Sequence, residues 1–199
     1  MKLGIISDVH GNAASLERAL ELMPDVDEVL CAGDLVSSFR FSNEVVARLR
    51  EIGARVVLGN HDLDVLAPHG ERGRASAATD PRLLRWLAEQ PERLDTQING
   101  RRVTMFHAVP EPPYGYVYAE TPRMQQWSGL GADFVIYGHT HRALLHRVDD
   151  TLVINPGSAG QPRDARNGFR SSFAVLDTQS GEVLIQTYDD PVYRPRPGE

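Results

Sequence analysis

This sequence predicts an α/β fold in which two β-sheets pack as a sandwich with helices on the outside. Three observations carry that prediction. Residues 2–58 alternate short β-branched runs with segments of helical period. From Leu94 the apolar period falls to two, with turn residues between the runs. The chain has 199 residues, 41% of them hydrophobic and 24% charged, enough to bury a core without disulfides. It shows no internal repeat and no linker, so one domain over residues 1–199 is expected.

The elements follow in order. Residues 2–7 form the first strand, ending at Asp8-Val9-His10. Asn12 is an N-cap for a helix to about Met23, with Leu16, Ala19, Leu20 and Met23 on one face. Residues 28–32 are the next strand, ending at Gly33-Asp34. Ser42 caps a helix whose buried stripe is Val45, Val46, Leu49 and Ile52, and Gly53 closes it. Residues 55–58 complete a β-α-β-α-β run of short connections, which requires parallel strands and right-handed crossovers. That strand ends at Gly59-Asn60-His61-Asp62.

Residues 64–79 read as a loop with at most a short helical turn. Asp80-Pro81 starts a helix with Leu83, Leu84, Leu87 and Ala88 as its apolar face, and Pro91 ends it. Asn99-Gly100 fits the type I′ turn of a hairpin whose second strand runs into His107. A loop over 108–120 carries Tyr114, Tyr116 and Tyr118, and Thr121-Pro122 starts a short helix. Residues 134–137 form a strand ending at Gly138-His139-Thr140-His141. Two hairpins follow, across Asp149-Asp150 and Ser180-Gly181, with a turn at Asn155-Pro156-Gly157-Ser158 between them. The tail from Pro191 is expected on the surface.

Five strands thus end in Asp8/His10, Asp34, Asn60/His61/Asp62, His107 and His139/His141. Strand ends are where open α/β sheets bind ligands. Oxygen and imidazole donors without sulfur suit Mn, Fe, Co, Ni or Zn. So many ligands exceed what one ion takes, and two ions need a bridging carboxylate. Asp34, alone on its strand, is the natural bridge. His69 and His146 belong to no such pattern.

The ordered set D-x-H, G-D, G-N-H-D, a lone His and G-H-T-H over residues 8–141 resembles the calcineurin-like metallophosphoesterases. Asn155-Pro156-Gly157-Ser158 further resembles the small bacterial and archaeal phosphodiesterase branch. The resemblance implies a four-layer α-β-β-α architecture and two divalent metal ions, with Mn first among the candidates. It implies that Asp8, His10, Asp34 and His141 hold one ion, and Asp34, Asn60, His107 and His139 the other. A hydroxide bridging the ions would attack phosphorus. His61 would act as general acid or stabilise charge on the leaving group, with Asp62 accepting its other N–H. Arg163, in a Gly-Gln-Pro-Arg run that some small members share, is a candidate contact to substrate, and Asn12 is a second. The tyrosines of the 108–120 loop can stack on an aromatic leaving group.

Two departures narrow the resemblance. Gly33-Asp34-Leu35-Val36-Ser37-Ser38 lacks the Asp-Arg of protein phosphatases and of symmetrical dinucleoside tetraphosphate hydrolases, which argues against both substrate classes. No ligand position is degraded, unlike the family's scaffold members, which argues for an enzyme. Phosphodiesters rank above phosphomonoesters because the resemblance points there and no basic clamp for a monoester is visible. A monoesterase and a non-catalytic metal-binding scaffold are the alternatives.

Composition adds exclusions. The net charge is −6 and no Lys/Arg run stands out, so a long nucleic acid is not the expected partner; a small phosphoester is. No apolar run approaches a membrane span and the N-terminus lacks a signal-peptide core, so a cytoplasmic location is expected. Cys31 is the single cysteine and sits in an apolar run, as a buried core residue does.

Overall fold

The computed structural model describes residues 1–76, 78–109 and 115–193. Tyr114 and the tail beyond residue 193 lie outside the described residues.

The first half alternates as its pattern requires. Strand β1 (Lys2–Ile6) leads to helix α1 (Ala13–Leu22), where the Asn12 side chain accepts the Ser15 N–H. Strand β2 (Glu28–Cys31) leads to helix α2 (Asn43–Glu51), where Ser42 Oγ accepts from Val45. Gly53 follows at φ +66°, the left-handed turn a glycine makes at least cost. Strand β3 (Arg55–Val56) is shorter than the expected four residues. Val57 still donates to the Cys31 carbonyl, but the Leu58 N–H turns away to Pro91.

The chain turns there because helix α3 (Asn60–Leu66) begins at once, where the sequence reading put a strand end and then a loop. Its N-terminal signal is hidden: the cap is Gly59, and Asp62 three residues on accepts the Gly59 N–H at 2.9 Å. A 3₁₀ turn (Pro68–Gly70) and the short helix α4 (Glu71–Arg74) follow, then α5 (Pro81–Ala88), capped by Asp80. On α5, Leu83 and Leu87 are buried and Trp86 packs beside them, whereas Ala88 is exposed, one step off the stripe.

In the second half β4 (Arg93–Ile98) and β5 (Arg101–Phe106) form the expected hairpin, with Asn99 and Gly100 both at positive φ. Helix α6 (Pro122–Gln125) and a 3₁₀ turn (Gln126–Leu130) precede β6 (Phe134–Ile136). Then come β7 (Ala143–Val148), β8 (Thr151–Pro156), a 3₁₀ turn (Ala165–Asn167), β9 (Ser171–Asp177) and β10 (Val183–Tyr188). Asn155 and Pro156 belong to β8, and the expected turn starts two residues later, at Gly157 with φ +81°.

One five-stranded sheet has the order β10-β9-β1-β2-β3 and the other β4-β5-β6-β8-β7. Strands β1, β2 and β3 run parallel in the first, and β5, β6 and β8 in the second. The sheets face one another across Leu3, Ile5, Leu30, Met105, Ile136 and Ile154. Outside the first sheet lie α1, α2, α3 and α5, burying Leu16, Val45, Leu49, Val65 and Leu87. Outside the second, Met124 and Trp127 cover Phe106, Val135 and Val153. The result is the expected four layers, because alternate residues of each strand face a sheet on one side and helices on the other. Among the described residues, no helix is long and apolar enough to cross a membrane.

Candidate metal centre

The parallel strands of both sheets end on a shared edge, and the polar endings meet there. Five of their residues have left-handed backbone: Asp8 (φ +55°), His10 (+50°), Asp34 (+56°), His139 (+68°) and His141 (+54°). That conformation costs a non-glycine residue about 1 kcal/mol or more. Such outliers concentrate where geometry serves a site rather than stability.

Among the described residues, two groups of donors lie side by side, Asp8, His10 and His141, and Asp34, His107 and His139, and a third of equal tightness, His10, Asp34 and His61, overlaps them. In the first, His141 Nε2 lies 3.3 Å from Asp8 Oδ1 and 3.1 Å from His10 Nε2. In the second, His107 Nε2 lies 3.1 Å from Asp34 Oδ2. Asp34 Oδ2 also lies 3.7 Å from His10 Nε2, so this carboxylate stands between the groups. Asn60 Oδ1, on the first turn of α3, is buried with no hydrogen-bond partner among the described residues.

The proton positions test whether a cation fits. His107 Nδ1 donates to the Ala32 carbonyl at 2.7 Å, and His141 Nδ1 donates to the Gln161 carbonyl. Each Nε2 then faces a carboxylate oxygen, and whenever its ring is neutral the two meet lone pair to lone pair. Buried acceptors facing one another need a proton or a metal between them. Burial drives His10 down to about 3 and His141 down to about 4, so near neutral pH this pair has no extra proton to share. Burial also works against charging His107, but Asp34 and Asp8 prevail and hold it at about 10. Burial raises Asp8, while the imidazoles around Asp34 outweigh burial and hold that carboxylate below its usual range. Imidazoles whose Nδ1 is held by a carbonyl at His107 and His141, ionisable carboxylates and an orphaned amide oxygen make a donor set that fits divalent transition metals.

His61 stands at the rim. Its side chain is 31% exposed, and its Nε2 is 3.9 Å from Asp34 Oδ2. The expected partnership with Asp62 does not form. The Asp62 carboxylate is buried and accepts the backbone N–H groups of Leu35, Val36 and Gly59. Burial, then the Asp34 charge, raises its pKa to about 7. The groups that do reach His61 Nδ1 are Ser38 N at 3.1 Å and Ser38 Oγ at 2.6 Å. Neither Ser38 nor Asp64 behind it was singled out in the sequence. The available signal was the spacing from His61 to Asp64, which shares a helix face only once α3 is recognised.

Asn12 is not free to take substrate. Its oxygen caps α1, and its amide donates to the Gly160 carbonyl and the Asp190 carboxylate. Arg163 is exposed and lines a cleft of about 220 Å³ with His10, Ser37, Ser38, Phe39, Arg40, His61 and Gln161. Tyr116 lies across the site, with its ring stacked 4.5 Å from that of His139, and Tyr118 lies parallel to Tyr116. His69 and His146 join neither group. Cys31 is buried, and burial raises its thiol pKa.

Residues 1–181 match the model of the calcineurin-like phosphoesterase superfamily domain. A phosphodiesterase of Methanocaldococcus jannaschii is 32% identical over 79% of this chain and 83% of its own length. A symmetrical bis(5'-nucleosyl)-tetraphosphatase of Paracidovorax citrulli is 37% identical, but over 54% of this chain and 44% of its own length. A crystal structure of a metallophosphoesterase from Sphaerobacter thermophilus superposes with a TM-score of 0.79 at 26% identity, covering 96% of this chain and 89% of that one. With strand-end donors in the order the motifs require and a family match from residue 1 to 181, the chain belongs to the calcineurin-like phosphoesterase superfamily.

Proposed function

We propose that this protein is a dinuclear metal-dependent hydrolase of phosphodiester bonds in small substrates. The observation that carries the reading is the pair of buried donor groups with the Asp34 carboxylate between them. Asp8, His10, Asp34 and His141 would hold one ion, and Asp34, Asn60, His107 and His139 the other. Divalent cations bound there supply Lewis acidity toward phosphoryl oxygens and lower the pKa of water. The Ala32 and Gln161 carbonyls keep the His107 and His141 lone pairs aimed inward. His61, half-buried at the rim with Nε2 facing Asp34, is placed to give a proton to the leaving oxygen. Arg163 offers its guanidinium to a non-scissile phosphate in the cleft beside His10 and His61. Diesters rank above monoesters because the relative similar over most of both chains is named a phosphodiesterase. The net charge of −6 supports a small substrate rather than a long nucleic acid, and a cytoplasmic setting is consistent with it.

The test is hydrolysis by metal-stripped protein after adding back Mn, Co, Ni, Zn or Mg, with Mn first. Bis-p-nitrophenyl phosphate is offered beside p-nitrophenyl phosphate. The expected result is metal-dependent turnover, faster on the diester, with about two ions bound per chain. Faster cleavage of the monoester would overturn the substrate assignment. Bound metal with no cleavage of either would overturn the enzymatic reading.

A further inference from the structure

We propose that Ser38, backed by Asp64, is the residue that positions His61. The inference rests on the His61 role proposed above and adds how this chain holds that ring. Ser38 follows β2 in a turn closed on itself: Ser37 N donates to the Arg40 carbonyl at 3.2 Å, and Arg40 N to the Ser37 carbonyl at 2.9 Å. Ser37 Oγ ties the turn to the His10 carbonyl at 3.2 Å. So Ser38, itself 7% exposed, is held before it meets His61.

Ser38 then packs against one ring nitrogen, with its Oγ 2.6 Å and its backbone N 3.1 Å from His61 Nδ1. The Oγ gives its one proton to Asp64 Oδ2 at 2.8 Å, so it accepts the proton on His61 Nδ1. His61 and Asp64 are three residues apart on α3, so one hydroxyl reaches both from outside the helix. The His10 ring meets the His61 ring edge-on at 4.7 Å and 87°, limiting its swing. Rotating the ring by half a turn would put carbon where Nδ1 stands and lose both Ser38 contacts. The unflipped ring presents Nε2 toward Asp34 Oδ2 and the donor groups. A hydroxyl with a carboxylate behind it thus does the orienting work that the neighbouring Asp62, committed to three backbone N–H groups, cannot do.

The experiment compares wild type with Ser38→Ala, Ser38→Thr, Asp64→Asn, His61→Ala and the Ser38→Ala/His61→Ala double variant, all metal-loaded. The substrates are diphenyl phosphate, with a poor leaving group, and bis-p-nitrophenyl phosphate, with a good one. A general acid matters most for the poor leaving group, contributing on the order of 10²-fold or more. Ser38→Ala is expected to cut kcat on diphenyl phosphate about 10-fold, and on the nitrophenyl ester much less. KM and metal content stay unchanged. Ser38→Thr restores most of the loss because it keeps the hydroxyl, and Asp64→Asn falls between. In the His61→Ala background, Ser38→Ala causes no further loss, since a residue acting only through His61 has nothing left to act on. Equal losses on both substrates, or a full second loss in the His61→Ala background, would overturn the proposal. If the wild type cleaves no phosphoester, the functional reading fails on its own, and the positioning claim is read by NMR of the zinc-loaded protein. Ser38→Ala should then move the His61 Nδ1 resonance and leave the other imidazoles in place; an unmoved Nδ1 resonance sinks it.

Discussion

The Asp62 carboxylate has three backbone N–H groups pointed at it, and they come from two different segments. Leu35 and Val36 belong to the stretch after β2, while Gly59 starts α3, so this one side chain staples the Asp34 segment to the His61 helix. Asp62→Ala should therefore act on stability as well as activity. It leaves three buried donors unsatisfied, at roughly 1–3 kcal/mol for each such group. Urea unfolding should show a loss of about 3 kcal/mol or more, with Asp62→Asn losing less because it keeps one acceptor. Wild-type stability in Asp62→Ala would refute the staple. The motif had pointed to a different partnership, in which Asp62 orients His61. Neighbours on a helix project about 100° apart, so His61 and Asp62 cannot share a direction, whereas His61 and Asp64 can. That distinction was illegible while residues 60–66 were read as a strand end and loop.

Between neighbouring elements, the site depends on places where no side chain fits. A Cβ on Gly59 would run into the carboxylate and backbone nitrogen of Asp34. Gly59 is therefore the gap through which the start of α3 approaches the end of β2. Gly59→Ala should displace Asp34, lowering metal content by elemental analysis, and overpacking of this kind costs about 1–3 kcal/mol. Gly100→Ala is the control. Nothing lies within 4 Å of its Cβ, and only its φ of +75° penalises it. That variant should lose about 1 kcal/mol and keep its metal. If Gly59→Ala binds metal as wild type does, the close approach does not matter to the site. The sequence marked both glycines, but for different reasons. Asn99-Gly100 is a local turn signal, whereas the crowding at Gly59 comes from Asp34, which is 27 residues from His61 in the chain.

For the molecule as a whole, the donors are divided between the two sheets. Asp8, His10, Asp34 and Asn60 follow strands of one sheet, and His107, His139 and His141 follow strands of the other. Metal held by both halves should clamp the sandwich at that edge. Ligand that binds only the folded state adds about 2.7 kcal/mol at 100 times its Kd and about 4 at 1,000 times. The protein should accordingly melt several degrees higher with saturating Mn than with chelator, and Asp34→Ala should show no such rise. A melting temperature indifferent to metal in the wild type would mean that the donors do not bind it across the sheets.

Most elements, the layer order and the candidate donors are legible in the sequence alone. These rest on short-range signals: period, caps, Asn-Gly at a turn, and ligand-type residues where strands stop. The family is legible there too, because the donor motifs survive in order. Tertiary structure decided which residues serve those donors. Asn12, a cap as its sequence position requires, is also tied to Gly160 and Asp190, Asp62 is a backbone staple, and Ser38 is the partner of His61. Each outcome turns on side-chain direction and on contacts between segments far apart in the chain. Direction depends on whether a residue sits on a helix or a strand, and distant contacts depend on how the two sheets face each other. Neither is written in the local pattern, because a hydrogen bond takes whichever partner packing brings within about 3 Å.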